Sequence, residues 1–238
     1  MERIGDQAAG TKGYVVDGTH FAGQEACGKS RRQMSKIRQK SGSGVAGIIL
    51  AAGASSRMGT LKQLLPVDGV PLVARVTLHA LSSGLEYVVV VLGCRSGEIR
   101  KELTKYCEHP KLSIIENNRW EQGISSSIIA GLSVVEKRFD HAMIILGDMP
   151  NVPSGVIDLL IHRYLESGAC IGAVAGGNCR CHPVVFGREM YFHLHTLRGD
   201  VGGRALFDAF SQRVCLVTPD APYDSRDIDT PEDYNRLS

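Results

Sequence analysis

Residues 45–62 read VAGIILAAGASSRMGTLK, and the way this stretch breaks decides the fold. Val45 to Leu50 is a short apolar run rich in β-branched residues, which predicts a buried strand. It gives way to Ala51-Ala52-Gly53-Ala54-Ser55-Ser56, all small, then to Arg57 and Lys62. A strand that stops in small side chains lets the backbone come close to a ligand. Two cations beyond the loop imply that this ligand is anionic. The simplest such anion is a chain of phosphates, held by main-chain N–H groups and neutralised by Arg57 and Lys62. A plain tight turn would use the same small residues. Two familiar phosphate loops are excluded. Gly47, Gly53 and Gly59 are too widely spaced for the dinucleotide fingerprint, and Thr60 rather than Lys follows Gly59, so the P-loop pattern fails.

Outward from this stretch the chain alternates strands and helices. Helices are predicted from Pro71 to about Ser83, over Ser96–Tyr106, over about Ser125–Phe139 and from Pro153 to about Ser167. Two shorter helical pieces fall at about Arg188–Leu197 and Gly202–Ser211. Strands are predicted at Tyr87–Leu92, Leu112–Glu116, His141–Leu146, Cys170–Ala175, Pro183–Phe186 and Val214–Val217. Tyr87–Leu92 is apolar throughout, as in a parallel strand covered on both faces. Thr230-Pro231-Glu232-Asp233 reads as the start of a last helix. This alternation implies a three-layer α/β/α fold with a mostly parallel sheet. Ligands in such folds bind outside the carboxyl ends of the strands. That rule places the 51–62 loop, the 117–125 segment and the 147–150 turn along one edge.

Composition sets the broad limits. The 238 residues are 43% hydrophobic and 22% charged, an ordinary globular balance. No apolar run approaches the ~20 residues of a membrane span, and the first residues lack an apolar signal core. Seven scattered cysteines then read as reduced thiols in a cytoplasmic protein. The net charge of +2 is uneven: residues 1–44 carry eight Lys and Arg against four Asp and Glu. The body, residues 45–238, is nearly neutral, so a nucleic-acid surface is not indicated. Residues 1–44 have no helical or strand period and read as a disordered extension. Met34 offers an alternative start.

Asp148, two residues past an apolar strand in Gly147-Asp148-Met149-Pro150, gives the phosphate loop a partner. Mg²⁺ prefers one or two carboxylates together with phosphate oxygens and water. A second carboxylate could come from Asp227 or Asp229, although either could instead cap the last helix. Gly123-Ile124-Ser125-Ser126-Ser127 opens a helix, where hydroxyls and free N–H groups can hold a base or ribose, or simply cap. Arg204 could hold a second phosphate or pair with Asp200. Cys179, Cys181, His182 and His162 lack the second Cys pair of a zinc site.

Together these segments resemble the MobA-like nucleotidyltransferases. LAAGASSRMGTLK, NNRWEQGISSSIIAGL, GDMP, HPVVF, LRGDVGGRALF and DIDTPEDY are similar to that family's motifs and occur in its order across residues 45–238. The branch most resembled is the molybdenum cofactor cytidylyltransferases, which includes accessory proteins of xanthine dehydrogenase-type enzymes. The resemblance implies a Rossmann-like nucleotidyltransferase fold and transfer of CMP from CTP to molybdopterin, with release of pyrophosphate. It implies that Leu50, Ala51, Ala52 and Gly53, with Gly123, Ser125 and Ser126, bind the nucleotide. Arg57 and Lys62 would neutralise the triphosphate, and Asp148 would bind Mg²⁺ with Asp229 as second ligand. His182, Asp200 and Arg204 would face the pterin, and a recipient molybdoenzyme would be a partner. Guanylyltransferase relatives carry Leu-Ala-Gly-Gly where this chain has Leu50-Ala51-Ala52-Gly53, which favours CTP over GTP through the Ala52 methyl. Cys181 stands where the family usually has Gly before His-Pro. The competing expectations are a GTP-using or sugar-phosphate nucleotidyltransferase and a non-catalytic cofactor chaperone.

Overall fold

Among the described residues seven of nine strands form one sheet, in the order β5 (Leu112–Glu116), β4 (Tyr87–Leu92), β1 (Gly42–Ala51), β6 (Phe139–Leu146), β8 (Cys179–Gly187), β7 (Ile171–Gly176), β9 (Val214–Val217). The computed structural model describes residues 42–176, 179–220 and 224–237. The predicted N-terminal extension falls, up to residue 41, outside the described residues, as do the side chains of Cys179 and Arg180.

β2 (Pro66–Val67) and β3 (Val70–Pro71) make a small hairpin. The helices are α1 Leu72–Leu81, α2 Ser96–Tyr106, α3 Ile124–Val135, α4 Ser154–Ser167, α5 Tyr191–Thr196, α6 Arg204–Ala209 and α7 Pro231–Asn235. None of the described helices is long and apolar enough to cross a membrane. β1 pairs in parallel with β4 and β6, and β4 with β5. Within the seven described strands of the large sheet, β8 alone runs against its neighbours, between β6 and β7.

Alternation along the strands explains the three layers. Val45, Ile49, Val88, Val90 and Leu92 point to the face covered by α1, α2 and α4. Ala46, Ile48, Leu50, Val89 and Val91 point to the face covered by α3, α5 and α6. Both faces are buried, so these strands read as continuous apolar runs. The mostly parallel α/β fold is as expected from the sequence.

Several elements differ from expectation, among them β8, which starts at Cys179 rather than Pro183. β1 starts at Gly42, because main-chain pairing with β6 continues past an irregularity between Gly42 and Val45. α3 ends at Val135, and Phe139 opens β6 and stacks on Tyr87 with centroids 6.0 Å apart. Phe139 is the one apolar residue in 136–141, which sets no period of its own, and its packing on Tyr87 puts it in the strand. The β2–β3 hairpin, which the predicted strands did not include, turns at Asp68-Gly69, whose two residues have φ of 50° and 78°.

Candidate functional site

The chain runs outward from β1 to β4 and β5, then returns to place β6 on the other side of β1. The crevice at this reversal is where doubly wound sheets bind ligands. A cleft of about 540 Å³ opens there, lined among others by Leu50, Ala51, Ala52, Gly53, Arg57 and Lys62.

The loop after β1 is held in shape by residues that the sequence reading missed. Gln63 is buried; its Nε2 donates to the Gly53 carbonyl at 2.8 Å and its Oε1 accepts from Ser55 Oγ at 3.0 Å. Ser55 Oγ also accepts the Lys62 N–H at 3.2 Å, and the Ala52 carbonyl accepts the Cys94 N–H at 3.0 Å. A Cβ at Gly53 would meet nothing within 4 Å, so the room beside it belongs to the cleft.

Asp148 reaches the same cleft from the end of β6. A Cβ at Gly147 would lie 2.8 Å from the Leu50 carbonyl oxygen, so glycine there lets the β6 exit run against the end of β1. The Ile228 N–H then donates to the Asp148 carbonyl at 3.1 Å and draws the 224–229 segment alongside. Lys62 Nζ lies 2.7 Å from Asp148 Oδ2 and 2.8 Å from Asp229 Oδ1, and Arg57 Nη2 lies 2.9 Å from Asp229 Oδ2. Burial opposes the charge on Lys62, but the pull of Asp148 and Asp229 outweighs it and raises the ammonium above its ordinary range. Burial likewise opposes the charge on Asp229, and Lys62 with Arg57 overcomes it, holding this carboxyl below its ordinary range. Asp148 Oδ1 is buried and has no hydrogen-bond partner. Asp227 is exposed. Capping of α7 falls to neither candidate: Thr230 Oγ1 accepts the Asp233 N–H at 3.2 Å, and Asp233 Oδ2 accepts the Thr230 N–H at 2.9 Å.

The opposite wall comes from the entry to α3. Gly123 has φ of 91°, and a Cβ there would lie 2.3 Å from the Gly199 carbonyl carbon. This close approach lets the Gly199 carbonyl accept the Ser125 N–H at 3.2 Å. Ser125 is buried, and Ser126 Oγ donates to the Gly123 carbonyl at 2.8 Å. Asn117, also missed, donates from Nδ2 to Ser126 Oγ at 2.8 Å and to Ser127 Oγ at 3.0 Å. The residues that line the cleft here are Trp120, Glu121, Gly123, Ile124 and Ser127, with Asp200 facing them.

A second cavity of about 400 Å³ adjoins the first and shares Leu50 and Ile124 with it. Its walls are mostly apolar, including Ile128, Ile144, Val184, Phe186 and Phe207, with Cys181, His182, Arg204 and Asp208 as polar members. His182 Nδ1 lies 3.4 Å from the Ile144 carbonyl, and burial pulls its pKa below the ordinary value, so the ring is neutral near pH 7. His182 and Arg204 thus belong to the apolar cavity and Asp200 to the charged cleft. His162 pairs with Glu166 on the exposed side of α4, and no cluster of three or more metal-type side chains forms among the described residues.

The MobA-like NTP transferase domain family matches residues 47–214, which takes in the loop after β1, Asp148 and the second cavity and stops short of Asp229. The chain belongs to this family. It is 28% identical over 202 residues to the nicotine blue oxidoreductase of Paenarthrobacter nicotinovorans, covering 81% of this chain and 96% of the relative. It is 29% identical over 197 residues to the purine catabolism protein PucB of Bacillus subtilis, covering 80% and 94%. A molybdenum cofactor cytidylyltransferase of Escherichia coli is 31% identical over 105 residues, covering 44% of this chain and 52% of that one. Among solved structures, the Rv0371c homologue from Mycobacterium sp. strain JC1 superposes with a TM-score of 0.70 at 29% identity, over 81% of this chain and 94% of that one. The MobA-like family is one of nucleotidyltransferases, and the superposition above shows that this chain shares its fold with the Rv0371c homologue.

Proposed function

We propose that this nucleotidyltransferase moves CMP from CTP to the terminal phosphate of molybdopterin, giving the cytosine dinucleotide form of the cofactor and pyrophosphate. The observation that carries the reading is the pairing of two adjoining cavities. One has the open Gly53 loop, Lys62 and Asp148, whose Oδ1 is buried without a partner. The other is mostly apolar and suits a ring system. The relatives named PucB and molybdenum cofactor cytidylyltransferase support the choice of acceptor.

In this reading the backbone at Ala51–Gly53 cradles the nucleotide. An acceptor phosphate oxygen forms a bond to the α-phosphorus as the bond to the β-phosphate oxygen breaks. The attacking group is already anionic, so no side-chain base is needed. Catalysis is then positioning plus neutralisation of the charge that builds on the leaving pyrophosphate. Arg57 and Lys62 do the neutralising. The unpartnered Asp148 Oδ1 and the facing Asp229 carboxylate fit a hard divalent cation such as Mg²⁺, which would supply further charge neutralisation at the phosphates. His182 and Arg204 hold the acceptor.

Incubation with CTP, Mg²⁺ and molybdenum cofactor should yield the cytosine dinucleotide and pyrophosphate, detected by chromatography. Activity confined to GTP or to a sugar phosphate would replace the acceptor or the base. Ala52 is almost fully buried beside the cleft, and its methyl narrows the space for a base. Ala52→Gly should raise the GTP-to-CTP ratio of kcat/KM about tenfold, the scale of one methyl-sized change in a pocket. An unchanged ratio would remove Ala52 from base choice. The relative named an oxidoreductase marks a second reading, hydride transfer on the same scaffold. The missing dinucleotide fingerprint counts against it, and consumption of a nicotinamide cofactor without CTP would favour it.

A further inference from the structure

Three of the four carboxylate oxygens of Asp148 and Asp229 are held by cationic side chains. Lys62 Nζ takes Asp148 Oδ2 at 2.7 Å and Asp229 Oδ1 at 2.8 Å, and Arg57 takes Asp229 Oδ2 at 2.9 Å. The fourth, Asp148 Oδ1, is buried and unpartnered. Two carboxylates that share one ligand atom repel each other, and an ammonium between them lets both stay ionised. A divalent cation would do the same job with the same oxygens. Ammonium and metal therefore compete for one place and repel one another.

We propose that Lys62 is an internal cation that fills the metal site until a triphosphate draws it away, so that metal and nucleotide bind as a coupled pair and free metal is kept out. This rests on the reading of Asp148 and Asp229 as metal carboxylates. The local structure lets the side chain move while the backbone stays. The Lys62 N–H is held by Ser55 Oγ and its carbonyl accepts the Leu65 N–H at 3.1 Å, whereas the ammonium sits at the end of a flexible four-carbon stem. The Lys62 side chain is only 13% exposed, so water screens the competition poorly, while Arg57 at 69% exposed stands at the mouth where phosphates arrive. Linkage makes the effect reciprocal: the factor by which nucleotide tightens metal is the factor by which metal tightens nucleotide.

The test uses Mn²⁺ as probe, with the full chain, read by calorimetry and by the electron paramagnetic resonance of free Mn²⁺. Without nucleotide the wild type should bind Mn²⁺ weakly, and a non-hydrolysable CTP analogue should tighten it by about tenfold or more. Lys62→Met should tighten Mn²⁺ binding to a similar degree with no nucleotide present, and Mn²⁺ should raise its Tm more than that of the wild type. Adding Asp148→Asn to Lys62→Met should cancel the gain. The proposal is overturned if Mn²⁺ alone binds the wild type as tightly as with the analogue, or if Lys62→Met gains no affinity. Should Lys62→Met fail to fold, Lys62→Gln keeps a neutral donor of similar reach for the same measurement. The metal-alone arm involves no nucleotide, so a wrong base or acceptor would leave it standing. Failure of both CTP and GTP analogues to bind would strike the functional reading instead.

Discussion

The two cavities lie side by side, share Leu50 and Ile124, and differ in almost everything else. The charged cleft is made where strands end. Its members sit on the loops after β1 and β6 and at the entry to α3, where the backbone leaves its ladder and N–H groups become free to face a ligand. The apolar cavity is made on the face of the sheet. Leu50, Ile128, Ile144, Val184, Phe186 and Phe207 all belong to the core cluster under α3, α5 and α6, so this cavity is a gap in that core. Fixed charges and backbone suit phosphates, and an unfilled core suits rings. A transferase that joins two such molecules needs both surfaces within one bond's reach of each other.

The largest effect should separate the chemistry of the cleft from the binding done by the cavity. Asp148→Ala should lower kcat by about 10²–10³, the scale of losing one electrostatic contact to a transition state. Binding of acceptor, measured by fluorescence titration, should stay within about twofold. Retained turnover would take Asp148 out of the mechanism. Gly123→Ala should damage both regions together, because its Cβ would run into Gly199 and Asp200 and the backbone there is left-handed. A Tm loss equivalent to about 1–3 kcal/mol, with higher KM for both substrates, is expected. A defect in one substrate alone would show that the two walls are independent.

Arg204→Ala should act on the cavity only, raising KM for the acceptor about tenfold, as for one charge-assisted hydrogen bond, with KM for CTP unchanged. The smallest effect is on pH. The His182 ring has a folded pKa below its ordinary value through burial. The unfolded chain therefore takes up the proton first as pH falls. The stability tied to a neutral ring is complete above about pH 6.5 and declines as pH drops toward the folded value. His141 is lowered by burial as well and acts in the same direction. Tm should fall between pH 7.5 and 5.5, and His182→Gln should flatten part of that slope. The lowered carboxyls Asp229 and Asp224, the latter at about 2 through Arg226, contribute stability that is lost only at more acid pH, so the two windows are distinct.

Where residues interact with their chain neighbours, they were readable. Strands β4 and β5 and helix α2 fall where the apolar pattern predicts, and the Thr230–Asp233 cap of α7 follows from its four residues. The loop after β1, its two cations and the Asp148 turn were found because each sits at a break in an apolar run. Ser125 and Ser126 show the limit of that reasoning. All three serines of 125–127 look alike in the sequence; in the fold Ser125 and Ser127 are buried, Ser126 is half-buried, Asn117 holds the hydroxyls of Ser126 and Ser127, and of the three Ser127 lines the cleft. Which of them meets the cleft depends on Asn117 and on the 199–200 turn packed against the helix entry, and nothing local distinguishes them. Gln63 was missed for a related reason: its role is to pin a loop that lies ten residues away at Gly53.

The sequence by itself determined the alternating α/β order, the anion-suited loop at residues 51–62 and a carboxylate at the end of β6. These depend on period, on small residues and on charges set within one element and its exit, all of which act over a few residues. Only the tertiary structure decided that Lys62 joins Asp148 and Asp229, partners 86 and 167 residues away, and that Asp229 rather than Asp227 is turned inward. It also decided that β8 runs against the sheet and that a gap remains in the core beside the cleft. Those outcomes follow from how distant segments pack against one another, where each contact exists only after the rest of the sheet has closed around it.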